Sequence, residues 1–435
     1  MIANRVAIKG RHVSSPNDVT SQRTVHSKIT KKFRDDSGQI VFRSGQGGKV
    51  YACDGSTYID FVMGYGPVVL GHDMRSFTEA VSRSLTNGVM LPGYTSFHED
   101  YLERLLAGTP GRRGAFFKTA SEAVTAALRL AAIETGRRGV IRCGFIGWHD
   151  AQIANSLKWH DPLASPLRYK HKYTSYMRGV GADEPVVNWH DLRPETLEGL
   201  IAEHRSTVGC LVIDAYQAAL CGPEVMRRAV EVARNAGLLT VFDETKTGGR
   251  ISRLGYAADH GIDVDLIVIG KALANGAPLS ILVGSREHLA TAERSRLSGT
   301  FSKEMIAIYA ALATLDELET PRAEYPDGWA ELGAIGTRVA ACIAGAAAEA
   351  GCSSLVSAEP VMGGGMFELT YAEWLLADRE RRDALLDAFT GAGVLLLEGH
   401  PSFVCLAHRE LDWNELTQRS IDAFSEWLTR TGLAA

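Results

Sequence analysis

The stretch "LIVIGKALANG", residues 266–276, decides the fold of this chain. Four aliphatic residues follow one another without polar alternation, and the run ends at a single lysine. Such a run predicts a strand that is buried on both faces of a parallel sheet. Lys271 then lies just past a strand end, where open α/β sheets build their binding sites. Because a lone lysine in such a place usually extends its ammonium into solvent, the rest of the chain must decide its role.

Further strand-like runs alternate with helical segments along the middle of the chain. The helical periodicity covers residues 75–107 and 121–134, and the later runs are "GVIRCGF" (139–145), "GCLVIDAY" (209–216), "LLTVFDE" (238–244) and "LSILVG" (279–284). This alternation predicts an α/β fold with a doubly wound, mostly parallel sheet.

The length of 435 residues predicts a second, smaller domain, because one core seldom grows to that size. We expect residues 71–316 to form the large domain. Residues 317–435 read as a small α+β domain, and residues 1–70 as an arm and a hairpin that completes it. The hairpin prediction rests on "GGKVYACDGSTYIDF" (47–61), in which strand-forming residues flank an Asp-Gly turn.

Composition excludes several classes of function. The chain has 46 basic and 51 acidic residues and no long block of either sign, which argues against nucleic acid and membrane surfaces as partners. The first residues do not resemble a signal peptide, and no run approaches the roughly 18 apolar residues of a membrane span. Seven cysteines without a C-x-x-C pair indicate reduced thiols. We therefore expect a cytoplasmic protein with a small soluble substrate.

Two further patterns contain residue types that bind metals or dinucleotides. Trp-His-Asp occurs at residues 148–150, 159–161 and 189–191, but these spacings match no known ligand motif, so we predict no metal site. The glycine clusters "GQGGKV" (45–50) and "GYGPVV" (64–69) lack the last glycine of the dinucleotide fingerprint, which disfavours a nicotinamide enzyme.

Three other features lie at predicted strand ends. "FFKTASEAVTAALRL" (116–130) opens a helix whose free N–H groups and hydroxyls form either a phosphate cradle or an ordinary N-cap. Phe145 follows a strand and presents its ring to a planar ligand or to the core. Asp243 ends an apolar strand, where a carboxylate caps the next turn or meets a cation. Together with Lys271, these features suit one cofactor, pyridoxal 5′-phosphate (PLP), which a lysine holds as a Schiff base.

The order of motifs identifies a family. From about residue 40 to 430 the chain resembles the class III (subgroup II) PLP-dependent aminotransferases, especially the glutamate-1-semialdehyde aminomutase-like branch. The matching motifs are "DGSTYIDF", "GYGPVVLGH", "TASEA", "TGRR", "GFIGWHD", "VFDETKTGGR", "IGKALANGAPLS", "GTFS", "GVLLL" and "LAH". The resemblance implies the fold type I architecture and a homodimer with active sites at the interface.

The resemblance also implies roles for individual residues. Lys271 is the Schiff-base lysine and Asp243 the partner of the pyridine nitrogen. Phe145 stands in the stacking position that tyrosine usually holds. Ala120 and Ser121 face the phosphate, and Thr300 reaches the phosphate from the other subunit.

Several positions depart from the family pattern. Thr119-Ala120-Ser121 replaces Ser-Gly-Ser/Thr, and Asp214-Ala215 replaces a Glu-Pro pair. Thr245-Lys246 replaces Val-Gln or Val-Met. Thr245 can still present a methyl group to the ring, whereas Lys246 either adds a cation to the site or points to solvent.

The resemblance implies an aminotransferase that moves an amino group between an amino acid and a carbonyl compound, in specialised metabolism. Alternatives on the same fold are an aminomutase, an epimerase or a decarboxylase, and a noncatalytic PLP-binding protein. The basic and aromatic segment 156–185 is either a solvated loop or an entrance suited to an anionic substrate.

Overall fold

The computed structural model describes residues 33–35, 38–149, 186–397 and 399–433. The strands, in chain order, are β1 (Arg34–Asp35), β2 (Gly38–Gln39), β3 (Phe42–Gln46), β4 (Lys49–Ala52), β5 (Thr57–Asp60), β6 (Arg112–Phe117), β7 (Gly139–Cys143), β8 (Val186–Asn188), β9 (Val208–Asp214), β10 (Leu239–Asp243), β11 (Leu266–Ile269), β12 (Ser280–Ser285), β13 (Val356–Val361), β14 (Met366–Tyr371), β15 (Val394–Leu395) and β16 (Ser402–Phe403).

The helices of the same ranges are α1 (Arg75–Ser84), α2 (Ser96–Leu105), α3 (Ala120–Thr135), α4 (Pro194–Glu203), α5 (Ala215–Ala218), α6 (Pro223–Asn235), α7 (Tyr256–Asp259), α8 (Arg286–Arg294), α9 (Met305–Glu319), α10 (Gly328–Glu349), α11 (Glu373–Ala377), α12 (Arg379–Gly391) and α13 (Trp413–Thr431). The predicted helical stretch 75–107 is therefore two helices, α1 and α2, separated by an irregular segment.

The largest described sheet has the strand order β6-β12-β11-β10-β9-β7-β8. β12 runs antiparallel to both of its neighbours, and the other pairs in the sheet are parallel. Every residue of β7, β9, β10 and β11 is buried. The prediction of an α/β fold with a mostly parallel sheet is confirmed.

Helices cover both faces of this sheet. α3 contacts β9, β11 and β12 and belongs to a core cluster that includes Val212, Val241 and Val268. The opposite face packs into a second cluster, to which α6 and α9 contribute. α3 begins at a capping box on Thr119 and ends at Gly136, whose φ of 68° closes the helix in the left-handed region.

One of the smaller sheets joins strands from both ends of the chain. β4 and β5 form the predicted hairpin, and β15 near the C-terminal end pairs with β5 in parallel. β13, β14 and β16 form the second small sheet. The domain boundaries after residues 70 and 316 stay a prediction.

α10 is an alanine-rich helix of 22 residues. By length and composition alone it suffices to cross a membrane, with a mean hydropathy of 1.2 over an 18-residue window. Its buried residues, among them Leu332, Val339 and Ile343, instead belong to a core cluster shared with α13 and β14. These contacts are those of a core helix.

Arg250 ties these parts together. Its side chain is fully buried and donates to the carbonyl oxygens of Val404 (2.6 Å), Gly365 (3.2 Å), Gly66 (2.7 Å) and Val68 (3.3 Å). Burial lowers the pKa of the guanidinium to about 10, so it stays charged at neutral pH. One side chain therefore holds three distant segments beside the large sheet.

We expect Arg250→Ala to lower the free energy of unfolding by about 3 kcal/mol or more, because four buried carbonyl groups lose a charged donor. Chemical denaturation of the full-length chain measures this change. Arg253→Ala is the matched control, since Arg253 pairs with Glu319 at 2.6 Å but is 32% exposed and should contribute less than about 1 kcal/mol. Equal losses in the two variants would contradict the clamping role of Arg250.

Candidate active site

A cavity of about 350 Å³ opens at the carboxyl ends of the central strands. It is lined by residues from the ends of β6, β7, β9 and β10 and from the loop after β11. Seven of the eight residues predicted for the site line it: Thr119, Ala120, Ser121, Phe145, Asp243, Thr245 and Lys271. The eighth, Thr300, does not line the cavity of its own chain.

The loop after β11 holds Lys271 in an unusual backbone conformation. Lys271 has a φ of 48°, in the left-handed region that lysine seldom adopts, and opens a 3₁₀ turn that ends at Asn275. The side-chain oxygen of Asn275 accepts from the backbone N–H groups of Val69 and Leu70, both at 3.0 Å. This anchoring compensates for the backbone strain, and such strain concentrates at functional sites.

The amine of Lys271 is easily deprotonated. Its pKa is lowered to about 7, first by burial and next by the cation of Lys246, while Asp214 and Asp243 act in the opposite direction. An amine with an ordinary pKa is neutral in roughly one molecule in three thousand at pH 7, whereas here a large fraction is neutral. The side chain therefore offers a nucleophilic amine at neutral pH.

Asp243, the last residue of β10, is 6% exposed. Its Oδ1 accepts hydrogen bonds from the backbone N–H of Thr245, at 3.0 Å, and from the Thr245 hydroxyl. Burial raises the pKa of Asp243 to about 6, and Asp214 raises it as well, while Thr245 and Lys246 lower it. The carboxylate is therefore ionised above about pH 6 and can pair with a cation in the cavity.

The N-terminus of α3 closes another side of the cavity. The Thr119 hydroxyl accepts from the N–H of Glu122 (3.3 Å), and the Glu122 carboxylate accepts from the N–H of Thr119 (2.8 Å). Thr119 is thus an N-cap, while the next two N–H groups, of Ala120 and Ser121, belong to a first turn that lacks helical acceptors. Thr119 therefore caps the helix and lines the cavity together with Ala120 and Ser121. The phosphate cradle stays a prediction.

Phe145 reaches the cavity through a left-handed glycine. Gly144 has a φ of 87° and directly follows β7, and a Cβ at that position would lie 2.6 Å from the Cβ of Asp214. The turn therefore requires glycine, and it leaves the Phe145 ring partly buried at the cavity wall. That position suits stacking on a planar ligand.

Thr300 lies elsewhere in the chain's own structure. It is exposed and opens the 3₁₀ turn Thr300–Lys303, which precedes α9. The family resemblance implies that Thr300 reaches the site of another subunit, and this role stays a prediction.

The structure adds charged residues to the cavity wall. Lys246, whose direction the sequence left open, is buried and pairs with Asp214. Lys118 lines the cavity and pairs with Glu304 at 2.6 Å. Lys118 directly follows β6 and Asp214 ends β9, so their positions at predicted strand ends were the sequence signal for a place in the cavity wall.

Glu244, in contrast, points away from the cavity. It is fully buried and accepts from the N–H groups of Tyr256 (2.9 Å) and Ala257 (2.7 Å) at the start of α7. Burial raises its pKa to about 7. Of the two successive acids at the end of β10, Asp243 lines the cavity and Glu244 caps a helix.

Two other features of the sequence fall largely outside the described residues. The segment 156–185 and two of the three Trp-His-Asp stretches lie wholly or partly outside the described residues. Among the described residues, no group of three or more side chains of the metal-binding types is found.

The whole architecture matches solved PLP enzymes. The FumI protein of Sphingopyxis sp. MTA144, in its PLP internal aldimine form, superposes with a TM-score of 0.77 at 22% identity, and the match covers 94% of each chain. This likeness defines the fold as type I of the PLP-dependent transferases.

Sequence similarity then gives the family. The aminotransferase class-III family matches residues 32–335. A 2′-deamino-2′-hydroxyneamine transaminase of Streptomyces kanamyceticus is 31% identical over 307 residues, covering 68% of this chain and 72% of that enzyme. A glutamate-1-semialdehyde 2,1-aminomutase of Methanocella arvoryzae is 28% identical over 294 residues, covering 64% and 66%. The chain belongs to the class III aminotransferases, enzymes that transfer amino groups with PLP.

The residues of the cavity fit this cofactor. An amine that is partly neutral at pH 7, a buried carboxylate, a partly buried aromatic ring and a helix N-terminus line one cavity. These groups match the aldehyde, the basic ring nitrogen, the flat ring and the phosphate of PLP, in that order.

Gly147 provides a test of the phosphate end. A Cβ at Gly147 would lie 2.9 Å from the Ser121 Oγ, and the φ of 85° adds strain. We expect Gly147→Ala to weaken PLP binding about tenfold, the equivalent of about 1.4 kcal/mol of strain, as measured by titrating the full-length chain with PLP.

Gly136→Ala is the matched control for this substitution. Gly136 ends the same helix with a φ of 68°, but a Cβ there would meet no atom within 4 Å. This variant should lose stability and keep its PLP affinity. Unchanged affinity in Gly147→Ala would contradict a phosphate site at the start of α3.

Proposed function

We propose that Lys271 is the lysine to which PLP is bonded and that Asp243 holds the proton on the pyridine nitrogen. The proposal rests on one observation. The Lys271 amine, which has a lowered pKa, and the buried Asp243 carboxylate line the same cavity. Bound PLP supplies an electron sink for the negative charge that develops at the substrate Cα.

Each residue then has a stated task. With PLP bound, the Lys271 nitrogen would hold the cofactor through its aldehyde and, once released, would carry a proton away from the substrate Cα. The Asp243 carboxylate binds the protonated ring nitrogen, and that cation in turn favours the ionised acid. Ala120 and Ser121 bind the phosphate, and Phe145 stacks on the ring.

The reaction proposed is amino transfer between an amino acid and a carbonyl compound, with an acceptor from specialised metabolism as the narrower proposal. The likeness to the neamine transaminase supports the narrower proposal. The likeness to aminomutases keeps internal amine transfer as the alternative, beside epimerisation and decarboxylation. A panel of amino donors separates them, because amino transfer releases a keto acid from the donor and leaves PLP in its amine form.

We also propose a cytoplasmic homodimer. All seven cysteines are free, as is usual in a reducing compartment. An exposed apolar patch is formed by Val89, Met90, Leu91, Tyr94, Phe301 and Ile306. Its two segments are joined by the Met305 N–H, which donates to the Val89 carbonyl at 2.9 Å.

A second copy of the chain is the proposed occupant of this patch. Large contiguous apolar patches mark interaction surfaces, and this one carries Thr300 next to Phe301. It also lies close to the cavity, because Glu304 bridges to Met90 through the backbone and to Lys118 through its side chain. A partner on this patch would complete both cavities.

For Lys271→Ala we expect the borohydride-reducible bond between protein and PLP to disappear, together with amino transfer, while the phosphate end retains weak PLP binding. Peptide mass spectrometry after reduction identifies the modified lysine. An adduct at normal occupancy in this variant would show that another lysine holds the cofactor, and Lys246 is the first to examine.

Mixed dimers test whether Thr300 acts across the interface. One parent carries Thr300→Ala and the other Lys271→Ala. If Thr300 acts on the partner's phosphate, the site built on Lys271 receives an intact Thr300 and half of the sites regain full PLP affinity. We expect this recovery in hybrids verified by native mass spectrometry and titrated with limiting PLP.

If Thr300 served its own chain, each site of the hybrid would carry one lesion and no affinity would return. The single Thr300→Ala parent should bind PLP more weakly by about 1.5–3 kcal/mol, as expected for one hydrogen bond to a charged group. No recovery in a verified hybrid would reject the cross-subunit role.

A further inference from the structure

The cavity contains a second lysine whose ammonium is held by a carboxylate. Lys246 follows β10, and its Nζ lies 2.5 Å from Oδ2 of Asp214, the last residue of β9. The two side chains are 8% and 3% exposed, and both line the cavity that contains Lys271. An ion pair this deeply buried is not explained by stability, because removing two charges from water costs about as much as their attraction returns.

The pair is held in place from both sides. The backbone N–H of Tyr216 donates to Oδ1 of Asp214 at 3.2 Å, and the Tyr216 ring centroid lies 5.3 Å from the Lys246 ammonium. The Tyr216 hydroxyl in turn donates to Glu368 on β14. The Lys246 ammonium therefore lies beside the Asp214 carboxylate and near the Tyr216 ring, and both groups favour a cation.

Strand register explains why Asp214 needs a counter-ion. Asp214 and Asp243 are direct partners on the adjacent parallel strands β9 and β10, so their side chains emerge on the same face of the sheet. Two carboxylates that share a buried space cannot both stay ionised without a cation. Asp214 raises the pKa of Asp243, and Lys246 lowers it.

The charged groups that face Lys271 come from three elements. Asp214 ends β9, Asp243 ends β10, and Lys246 and Arg250 lie in the loop that follows β10. The two acids favour a protonated Lys271 and the two cations disfavour it, and burial disfavours it most. Because Arg250 donates its hydrogen bonds to four carbonyl groups, Lys246 is the cation that pairs with Asp214.

We propose that Lys246 is a positioning residue: it occupies Asp214, prevents that acid from forming an ion pair with Lys271, and leaves Asp243 as the one carboxylate available to the ring nitrogen. Lys246 acts through Asp214 and takes no part in bond making. This inference rests on the proposed function, because it takes the roles of Lys271 and Asp243 from there.

Two departures from the family pattern support this proposal. The sequence departs from the family pattern at both Asp214 and Lys246, and the structure joins these two residues directly. A shorter acid than glutamate together with a long basic side chain still spans the distance between β9 and the loop after β10. The charge that Lys246 brings into the cavity is therefore compensated within the cavity.

The test measures the Lys271 amine without PLP chemistry. The full-length chain, freed of PLP, is acylated with an amine-specific reagent across a pH series, and peptide mass spectrometry reports the modified fraction of Lys271. We expect Lys246→Met to raise the pH midpoint of Lys271 acylation by about one unit, since Asp214 then stabilises the Lys271 ammonium. Labelling of Lys271 at pH 7 should therefore slow several-fold. Asp214→Asn should lower the midpoint.

The double variant Lys246→Met/Asp214→Asn removes both charges and should return the midpoint close to that of the parent chain. Lys246→Arg keeps the cation and should also leave it nearly unchanged. Lys49→Met is the matched control, because it breaks an ion pair of 2.8 Å, with Glu415, that lies outside the cavity. This control should not move the midpoint.

Opposite shifts in the two single variants with recovery in the double variant support the proposal. An unchanged midpoint in Lys246→Met, or shifts of the same sign in both single variants, overturns it. If Lys246→Met does not fold, Asp214→Asn and the double variant make the same comparison. Failure of the proposed function is a separate result, since the borohydride adduct would then lie on a lysine other than Lys271.

Discussion

The register of three parallel strands is the constraint on which the site depends. Asp243 of β10 is paired with Asp214 of β9 on one side and with Val268 of β11 on the other, and Lys271 follows β11 two residues past its end. A slip of one residue would turn each of these side chains to the opposite face of the sheet. The buried aliphatic strands thus do more than form a core, because their alignment brings two acids and a lysine into one cavity.

Burial gives these groups their reactivity and makes them costly. Charges removed from water have altered pKa values, which favours a neutral Lys271 and an Asp243 that ionises only above about pH 6. The same burial would destabilise the fold if the charges were unmatched. Two interactions offset this destabilisation. Lys246 pairs with Asp214 inside the cavity, and Arg250 binds carbonyl groups of the surrounding segments.

Most of the fold could be predicted because its signals are local. Continuous aliphatic runs marked β7, β9, β10 and β11, and the alternation with helices indicated their parallel arrangement. The same reasoning placed Asp243 and Lys271 at strand ends. The direction of β12 and the side on which Lys246 points could not be predicted, since both depend on contacts between residues far apart in sequence. Thr300 is a different case, because its proposed partner belongs to another chain.

A crystal structure of the full-length chain with PLP bound tests the central claim most directly, namely that the strand ends form one PLP site around Lys271 and Asp243. The account predicts continuous density from the Lys271 Nζ to the cofactor, a carboxylate oxygen of Asp243 within hydrogen-bonding distance of the ring nitrogen, and the phosphate at the N-terminus of α3. Density joining PLP to Lys246, or a ring nitrogen that faces away from Asp243, would contradict it.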